Sequence, residues 1–472
     1  MQAYVLGLGQ SGISAAKLLK ADGWRVTISD SNTSPSLEQR KQELELNGFS
    51  VILGSFPDFE ELLASGQVVD LVVVSPGVPW DRPEVEKSRS LGIETVGEIE
   101  LAWRYLKQIP WVGITGTNGK TTTTALTAAI FQRAGLKAIA CGNIGLPACE
   151  IALQVLRKEI QPDWIIAELS SYQIESTKTV RPQIGIWTTF TPDHLNRHYT
   201  LDTYRDIKAS LIDRSTHIVL NGDDPYLIKF GAAMWPSAVW TSIDQHIVEA
   251  VADGVCISDA WVKFRGEPVF PISNWLLLGR HNRQNLLMAV AAAKLAKIDS
   301  EHINQAISEF QGVPHRLELV YSHEGITYIN DSKATNYDAA EVGLRAVKAP
   351  VILIAGGQPK QGDASAWIEQ IRQRAIGVLL IGEAAPLFAE MLAESGFKNY
   401  EIVETLERAV QKAAKIAHHR VYNHPSQPLP TVLFSPACAS FDQFANFEVR
   451  GDHFRQLCQE ISPSTRLDSL PK

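Results

Sequence analysis

Cysteine is scarce: five residues among 472, at positions 141, 149, 256, 438 and 458, scattered and without Cys-x-x-Cys spacing. That excludes a disulfide framework and a structural zinc site, and a reducing compartment is the expectation. No uninterrupted apolar run reaches the ~18 residues that a membrane-spanning helix needs. The start, MQAYVLGLGQSG, enters a strand-like run with no basic leader or cleavage site before it. A cytoplasmic chain without a membrane partner is predicted. Positive charge is also short, since 44 Lys plus Arg against 52 Asp plus Glu leave a net charge of −8. The global basic field of a phosphate-backbone binder is missing, so nucleic acid is not an expected partner. Small anions stay open, because a local cluster of amides and lysines binds phosphate against an unfavourable net charge. The absence of long polar tracts and fixed-period repeats excludes collagen-like chains, coiled coils and disordered tails.

What is present is alternation. Strand-length apolar runs take turns with segments of helical period, as in AYVLGLG, SAAKLLKADG and RVTISD, which is the βαβ signature of parallel sheets. The fold class is α/β. At roughly 150 residues per domain the length implies about three domains. A fresh strand, WVGITG, follows EIELAWRYLKQIP, and a third block begins near QGVPHRLELV, so the expected boundaries are 1–97, 98–312 and 313–472. Each domain is expected to be a largely parallel sheet with flanking helices.

The strongest motif is Gly116-Thr117-Asn118-Gly119-Lys120-Thr121, set between a strand and the helical TTTALTAAIFQRAG. Backbone amides and a helix N-terminus in that context cradle phosphates. The general ATPase pattern would place its first glycine at Ile114, whereas the glycines stand at 113, 116 and 119, so the mechanics survive without the pattern. Gly7-Leu8-Gly9-Gln10-Ser11-Gly12 follows the first strand and Asp30 ends the second, near the spacing of a dinucleotide fingerprint. A domain of about 97 residues matches roughly one mononucleotide-binding half, which favours a nucleotide's phosphates and ribose over a redox cofactor. Ser75-Pro76-Gly77 would sit at a strand's carboxyl end, where a plain turn competes with a ligand contact. Glu168 and Thr191-Pro192-Asp193-His194 end strands expected on the edge that carries the phosphate loop; with the Thr121 hydroxyl they suit Mg²⁺. By spacing alone Lys208 is an ordinary solvated helix lysine. Asn282 and Asn285 lie one turn apart on one helix face, where they either read a purine edge or cap the helix. Three segments at successive strand ends, Asn330–Asn336, Gly356–Lys360 and Ser435–Ser440, put two lysines and several hydroxyls on one rim, which suits a dicarboxylate.

Taken together, TGTNGKTTT, ELSSYQIE, TPDH, GRHNRQN and the HR pair at 315 and 316 resemble the Mur ligases, over essentially the whole chain. GLGQSG, NDSKATN and SPACASFDQFANFEVRG resemble their D-glutamate-adding members. The resemblance implies a Rossmann-like N-terminal domain that binds the UDP substrate, a P-loop ATPase-like central domain, and a Rossmann-like C-terminal domain that binds the amino acid. It implies ATP and Mg²⁺, with two ions, and small-molecule partners only, for a monomer. The implied activity joins D-glutamate to UDP-N-acetylmuramoyl-L-alanine through an acyl phosphate, releasing ADP and phosphate, in peptidoglycan precursor synthesis. Carried over by position, Gln10, Ser11, Asp30, Ser75, Gly77, Asn143 and His194 would hold the UDP substrate. Gly116, Thr117, Asn118, Gly119, Lys120, Thr121, Thr122, Asn282, Asn285, Arg316 and Asp331 would hold ATP. Lys333, Thr335, Lys360, Ser440, Phe441 and Phe447 would receive D-glutamate. Thr121, Glu168, His194 and Lys208 would serve the metal, with Lys208 carbamylated, and Lys120, His194 and Lys208 would be catalytic. Two positions depart from the family pattern: Asn32 stands where a basic residue contacts the nucleotide sugar, and Phe441 replaces a leucine. The competing class is a nucleotide-sugar sensor that switches without making a bond; a dehydrogenase would rest on GLGQSG alone.

Overall fold

Short apolar runs and amphipathic segments build three sheets among the described residues of the computed structural model, which are 1–244, 246, 254–277, 279–323, 325–360, 362–423 and 427–461. The first sheet is wholly parallel. Its strands β1 (Gln2–Leu6), β2 (Arg25–Asp30), β3 (Ser50–Leu53), β4 (Leu71–Val74) and β5 (Thr95–Gly97) lie in the order β3-β2-β1-β4-β5. β4 is buried throughout and β1 from Ala3 onward, which is why both read as unbroken apolar runs. The order reverses between β1 and β4, and ligands of open α/β sheets bind outside the carboxyl ends of strands at such a point. Five strands are more than the single mononucleotide half that the length suggested. Two short helices, Phe59–Ala64 and Pro83–Ser90, make the extra crossovers fit.

The second sheet has the order β14-β13-β12-β11-β10-β9-β6-β8-β7. Its strands are β6 (Trp111–Thr115), β7 (Ala138–Gly142), β8 (Trp164–Glu168), β9 (Ile184–Trp187), β10 (His217–Asn221), β11 (Val239–Ser242), β12 (Gly254–Ser258), β13 (Trp261–Phe264) and β14 (Glu267–Pro271). β6 is paired in parallel with β8 on one side and β9 on the other, so the strands expected to carry Glu168 and His194 flank the phosphate-loop strand. Parallel alternation ends at β12 to β14, which form antiparallel hairpins. Their two-residue loops, Asp259-Ala260 and Arg265-Gly266, have positive φ throughout (52°, 62° and 53°, 82°), as tight turns between twisted strands require. One apolar core runs from the first sheet into the second and includes Leu18, Leu101, Trp111 and Ile151.

The third sheet comprises β15 (Glu318–His323), β16 (Ile326–Asn330), β17 (Val351–Gly356), β18 (Ala375–Ile381), β19 (Tyr400–Glu404) and β20 (Thr431–Phe434), in the order β15-β16-β20-β17-β18-β19. Only the β15–β16 pair is antiparallel among these described strands. β20 lies between β16 and β17, which places the three polar strand-end segments side by side at one edge. The described residues of 1–276 with 283–310 make one compact unit, and those of 277–282 with 311–461 another. No helix among the described residues is long and apolar enough to cross a membrane.

Candidate active site

The loop after β6 is shaped by glycine. Gly116 has φ +144° and a Cβ there would lie 2.0 Å from Thr188 Oγ1; Gly119 has φ +84° and a Cβ there would lie 2.5 Å from Asn285 Oδ1. No side chain fits either position, so the backbone itself lines the turn. Thr117 N donates to Thr189 O at 2.8 Å and Asn118 N to Thr189 Oγ1 at 2.8 Å, which pins the loop to the end of β9. The helix Lys120–Arg133 then starts with no acidic residue in its first turn, leaving its positive end uncompensated there. Lys120 Nζ folds over the loop and donates to Gly116 O at 2.9 Å and Thr117 O at 2.8 Å. Thr121 and Thr122 are buried beneath it, and Thr122 Oγ1 has no hydrogen-bond partner within the protein. Asn285, buried one turn after Asn282 on the helix Arg280–Leu295, accepts from Thr123 Oγ1 at 3.4 Å.

Glu168 ends β8 in register with Ile114, one strand from the loop. It is 1% exposed. Its Oε1 accepts from Asn143 Nδ2 at 2.9 Å, and its Oε2 is buried with no partner in the protein. An orphaned, buried carboxylate oxygen beside a phosphate loop fits a divalent cation, because desolvation of that oxygen is otherwise uncompensated. Among the described residues no group of three or more His, Cys, Asp and Glu gathers as a metal cluster. The expected set of Thr121, Glu168, His194 and Lys208 contains only two residues of those types. His194 follows β9 with φ +55°; its Nδ1 lies 3.0 Å from Tyr172 Oη and its Nε2 3.5 Å from Asp193 Oδ2.

Lys208 overturns the solvated-lysine reading of its spacing. It is 1% exposed on the helix Leu201–Asp213, and its Nζ donates to Gly116 O at 2.9 Å and Thr115 Oγ1 at 3.4 Å, 4.6 Å above the Tyr204 ring. Burial, reinforced by the charge of Lys120, drives its pKa well below the ordinary lysine value. Sequence reasoning also missed Tyr172, Arg197 and His198. His198 Nε2 lies 2.9 Å from Ser171 Oγ, and burial pushes its pKa down to about 4, so its ring stays neutral at neutral pH. Tyr172 stood inside the ELSSYQIE string, but a tyrosine in a polar loop carries no signal of its own.

A cavity of about 570 Å³ opens where the first sheet reverses. Gln10, Ser11, Asp30, Ser75, Gly77 and Asn143 line it, gathered from four separate strand ends, whereas His194 is not among the described residues of its wall. Gly7 has φ +102°, and a Cβ there would press on Ser75 at 2.8 Å; Ser75 Oγ in turn donates to Gly7 O at 3.2 Å. Asp30 holds two turns, accepting from Leu8 N at 2.9 Å on one oxygen and from Asn32 N at 2.9 Å on the other. Asn32 lines the cavity, as does Arg82, whose guanidinium lies 4.7 Å over the Phe56 ring. Arg82 and Phe56 were not singled out from the sequence.

At the edge formed by β16, β20 and β17, Ser440 is buried, Thr335 and Phe447 are half-buried, and Lys333 Nζ lies 5.3 Å over the Phe447 ring. Lys360 is exposed and Phe441 is 68% exposed, so both face solvent in this structure. Asp331 is buried, accepts from Ser435 Oγ at 2.8 Å and Leu317 N at 3.3 Å, and burial raises its pKa to about 7. Arg316 keeps a buried Nε with no protein partner, and Asn282 is buried.

Comparison with known proteins agrees across all three sheets. Residues 1–97 match the Mur ligase MurD-like N-terminal domain, 114–293 the Mur ligase middle domain, and 315–438 the Mur ligase glutamate ligase domain. The UDP-N-acetylmuramoylalanine–D-glutamate ligase of Nostoc sp. is 57% identical over 465 residues, covering 98% of this chain and 97% of that one. That of Microcystis aeruginosa is 54% identical, covering 98% and 100%. Among solved structures, the UDP-N-acetylmuramate-alanine ligase MurC of Thermotoga maritima superposes with a TM-score of 0.58 at 19% identity, covering 98% of this chain and 100% of that one, which establishes the shared fold. A pseudomurein peptide ligase type C from Methanothermus fervidus gives 0.55 at 20% identity with the same coverage. With more than half of its residues identical over nearly its whole length, the chain belongs to the Mur ligase family, in the branch of the UDP-N-acetylmuramoylalanine–D-glutamate ligases.

Proposed function

We propose that the chain is an ATP-dependent amide ligase that adds D-glutamate to UDP-N-acetylmuramoyl-L-alanine in peptidoglycan precursor synthesis, acting as a cytoplasmic monomer. The observation that carries this reading is Asn143. Its side chain lines the 570 Å³ cavity and donates to Glu168 at 2.9 Å, so the cavity for the nucleotide sugar and the carboxylate for the metal share one wall.

In this reading Gln10, Ser11, Asp30, Ser75, Gly77 and Asn143 bind the UDP substrate. The amides of Gly116 to Thr122 and the N-terminus of the helix Lys120–Arg133 receive the ATP phosphates, and Lys120 exchanges its carbonyl partners for phosphate oxygens. Asn282, Asn285, Arg316 and Asp331 contact the rest of ATP. Thr121, Glu168, His194 and Lys208, the last as its carbamate, hold two magnesium ions. Bound there, magnesium supplies charge neutralisation at the transferring phosphoryl group. A carboxylate oxygen of the L-alanyl group bonds to the γ-phosphorus as the bond to ADP breaks, giving an acyl phosphate. The amine nitrogen of D-glutamate then bonds to the acyl carbon, phosphate leaves, and the amine gives up a proton. Lys333, Thr335, Lys360, Ser440, Phe441 and Phe447 position that amine. No protein nucleophile is needed, and the chain's contribution is placement and electrostatics. His194, held through Nδ1 by Tyr172, orients the acceptor.

The test is an incubation with ATP, the UDP-sugar-alanine and a panel of D- and L-amino acids. ADP, phosphate and amide should form in equal amounts with D-glutamate alone. Tight UDP-sugar binding without ADP release would instead identify a nucleotide-sugar sensor.

A further inference from the structure

Arg450 lies in the first turn of the helix Phe447–Glu460 and is 1% exposed. Its Nε donates to Ser332 Oγ at 3.0 Å, one terminal nitrogen to Ala439 O at 3.0 Å, and the other to Ser332 O at 2.8 Å and Cys438 O at 3.1 Å. One guanidinium thus joins the segment after β16 to the segment after β20. The segment after β17 is attached to the same centre: Gln358 N donates to Ala439 O at 2.9 Å and Ala439 N to Gln358 O at 3.1 Å. Gly357, at φ +133°, comes so close that a Cβ there would lie 2.4 Å from Ala439 O and 3.0 Å from an Arg450 nitrogen. These three segments carry Lys333, Ser440 and Lys360.

Two features show what an arginine does here that an apolar side chain would not. The planar fork spreads its donors over three nitrogens and serves Ser332 Oγ, Ser332 O, Cys438 O and Ala439 O together, more acceptors than the three N–H groups of one ammonium can satisfy. All these acceptors are neutral oxygens, and the carboxylate of Asp442 nearby offsets only part of the positive charge. Burial lowers the pKa only to about 10, and the group stays cationic at neutral pH. Burying such a charge on neutral partners adds little net stability compared with a well-packed apolar residue. Its value is therefore in placement and in field.

We propose that Arg450 is a positioning residue for the amino-acid substrate, fixing the three strand-end segments that carry Lys333, Lys360 and Ser440 and adding positive potential that favours a dicarboxylate. The inference rests on reading that edge as the D-glutamate site. Arg450→Lys keeps the charge and removes the fork, so its KM for D-glutamate should rise by about tenfold or more, with KM for ATP and for the UDP substrate held within about twofold. Ser332→Ala removes one of the acceptors and should raise the D-glutamate KM by about threefold. A purely structural role would lower the melting temperature and the active fraction while leaving every KM in place. If both variants fold and keep the wild-type D-glutamate KM, the inference is wrong; should Arg450→Lys not fold, Ser332→Ala decides by the same criterion. A wild-type enzyme that couples a different amino acid would overturn the D-glutamate assignment, and the KM comparison would then be made with the amino acid it does use.

Discussion

Arg197 donates to the backbone carbonyl of Val78 at 3.1 Å, tying the short helix after His194 to the loop on one side of the cavity. The same guanidinium is paired with Glu175 and lies 4.9 Å over the Tyr172 ring, whose hydroxyl is 3.0 Å from His194 Nδ1. Tyr199 Oη adds a second tie by donating to Asp81 Oδ2 at 2.5 Å. Val78, on the wall of the cavity, and His194 are therefore held in one framework.

Removing Arg197 tests that framework. The side chains of Arg197 and Glu175 are 11% and 10% exposed, so Arg197→Ala leaves a carboxylate that is buried without its cation. Such a loss costs about 3–5 kcal/mol, and adding Glu175→Gln should restore part of it. Urea unfolding of the two single variants and the double variant measures the coupling, and KM for the UDP substrate should rise with Arg197→Ala. A stability change below about 1 kcal/mol would show that the pair is solvated in solution.

Lys120→Ala should abolish turnover and leave UDP-substrate binding close to wild type. The ammonium sits on the loop carbonyls of Gly116 and Thr117, while the cavity is lined by other segments. Calorimetry with the UDP substrate and an ADP-release assay on the same preparation separate the two effects. Parallel loss of both would contradict the division of labour.

Strand-end chemistry was legible because it follows from topology: Gln10, Ser11, Asp30, Ser75 and Gly77 each follow or end an apolar run, and parallel sheets bring such ends to one edge. Burial of charge was not legible. Glu98 and Glu100 in EIELAW are both buried, because they accept from Cys149 N at 2.6 Å and from Lys178 N at 2.7 Å, 51 and 78 residues away. Lys208 and Arg450 escaped for the same reason. Periodicity records which face of a helix is apolar, and it is blind to a carbonyl or amide supplied by a distant loop.

Glu98 gives a pH dependence with a fixed sign. Its Oε1 accepts from Cys149 N, its Oε2 is buried without a partner in the protein, and burial raises its pKa to about 7. The native state then holds a proton that the unfolded chain releases near pH 4.5, so the contribution is greatest below that value and is lost as pH rises to about 7. The full effect is about 3 kcal/mol at most. Glu98→Gln should therefore gain on wild type between about pH 5 and about pH 7.5 in urea midpoints. Midpoints that fall in parallel for both proteins would place the titration elsewhere.

Lys208 poses the sharpest chemical question, since a buried ammonium beside a triphosphate site would repel the metal and offer it no oxygen. Depressed well below the ordinary lysine pKa by burial and by Lys120, its amine is the form whose lone pair attacks carbon dioxide. The N–C bond forms, the nitrogen gives up one proton to water, and the neutral amine becomes a carbamate anion with oxygen donors suited to magnesium. Charge sign then decides the variants. Lys208→Arg keeps the cation and should be almost inactive, while Lys208→Glu, a shorter carboxylate, should retain more activity than Arg. Wild-type protein equilibrated with ¹³C-bicarbonate should show a carbamate carbon by NMR that is missing from Lys208→Arg. Full activity of the Arg variant, together with no such signal in the wild type, would make Lys208 a structural clamp on Gly116 and nothing more.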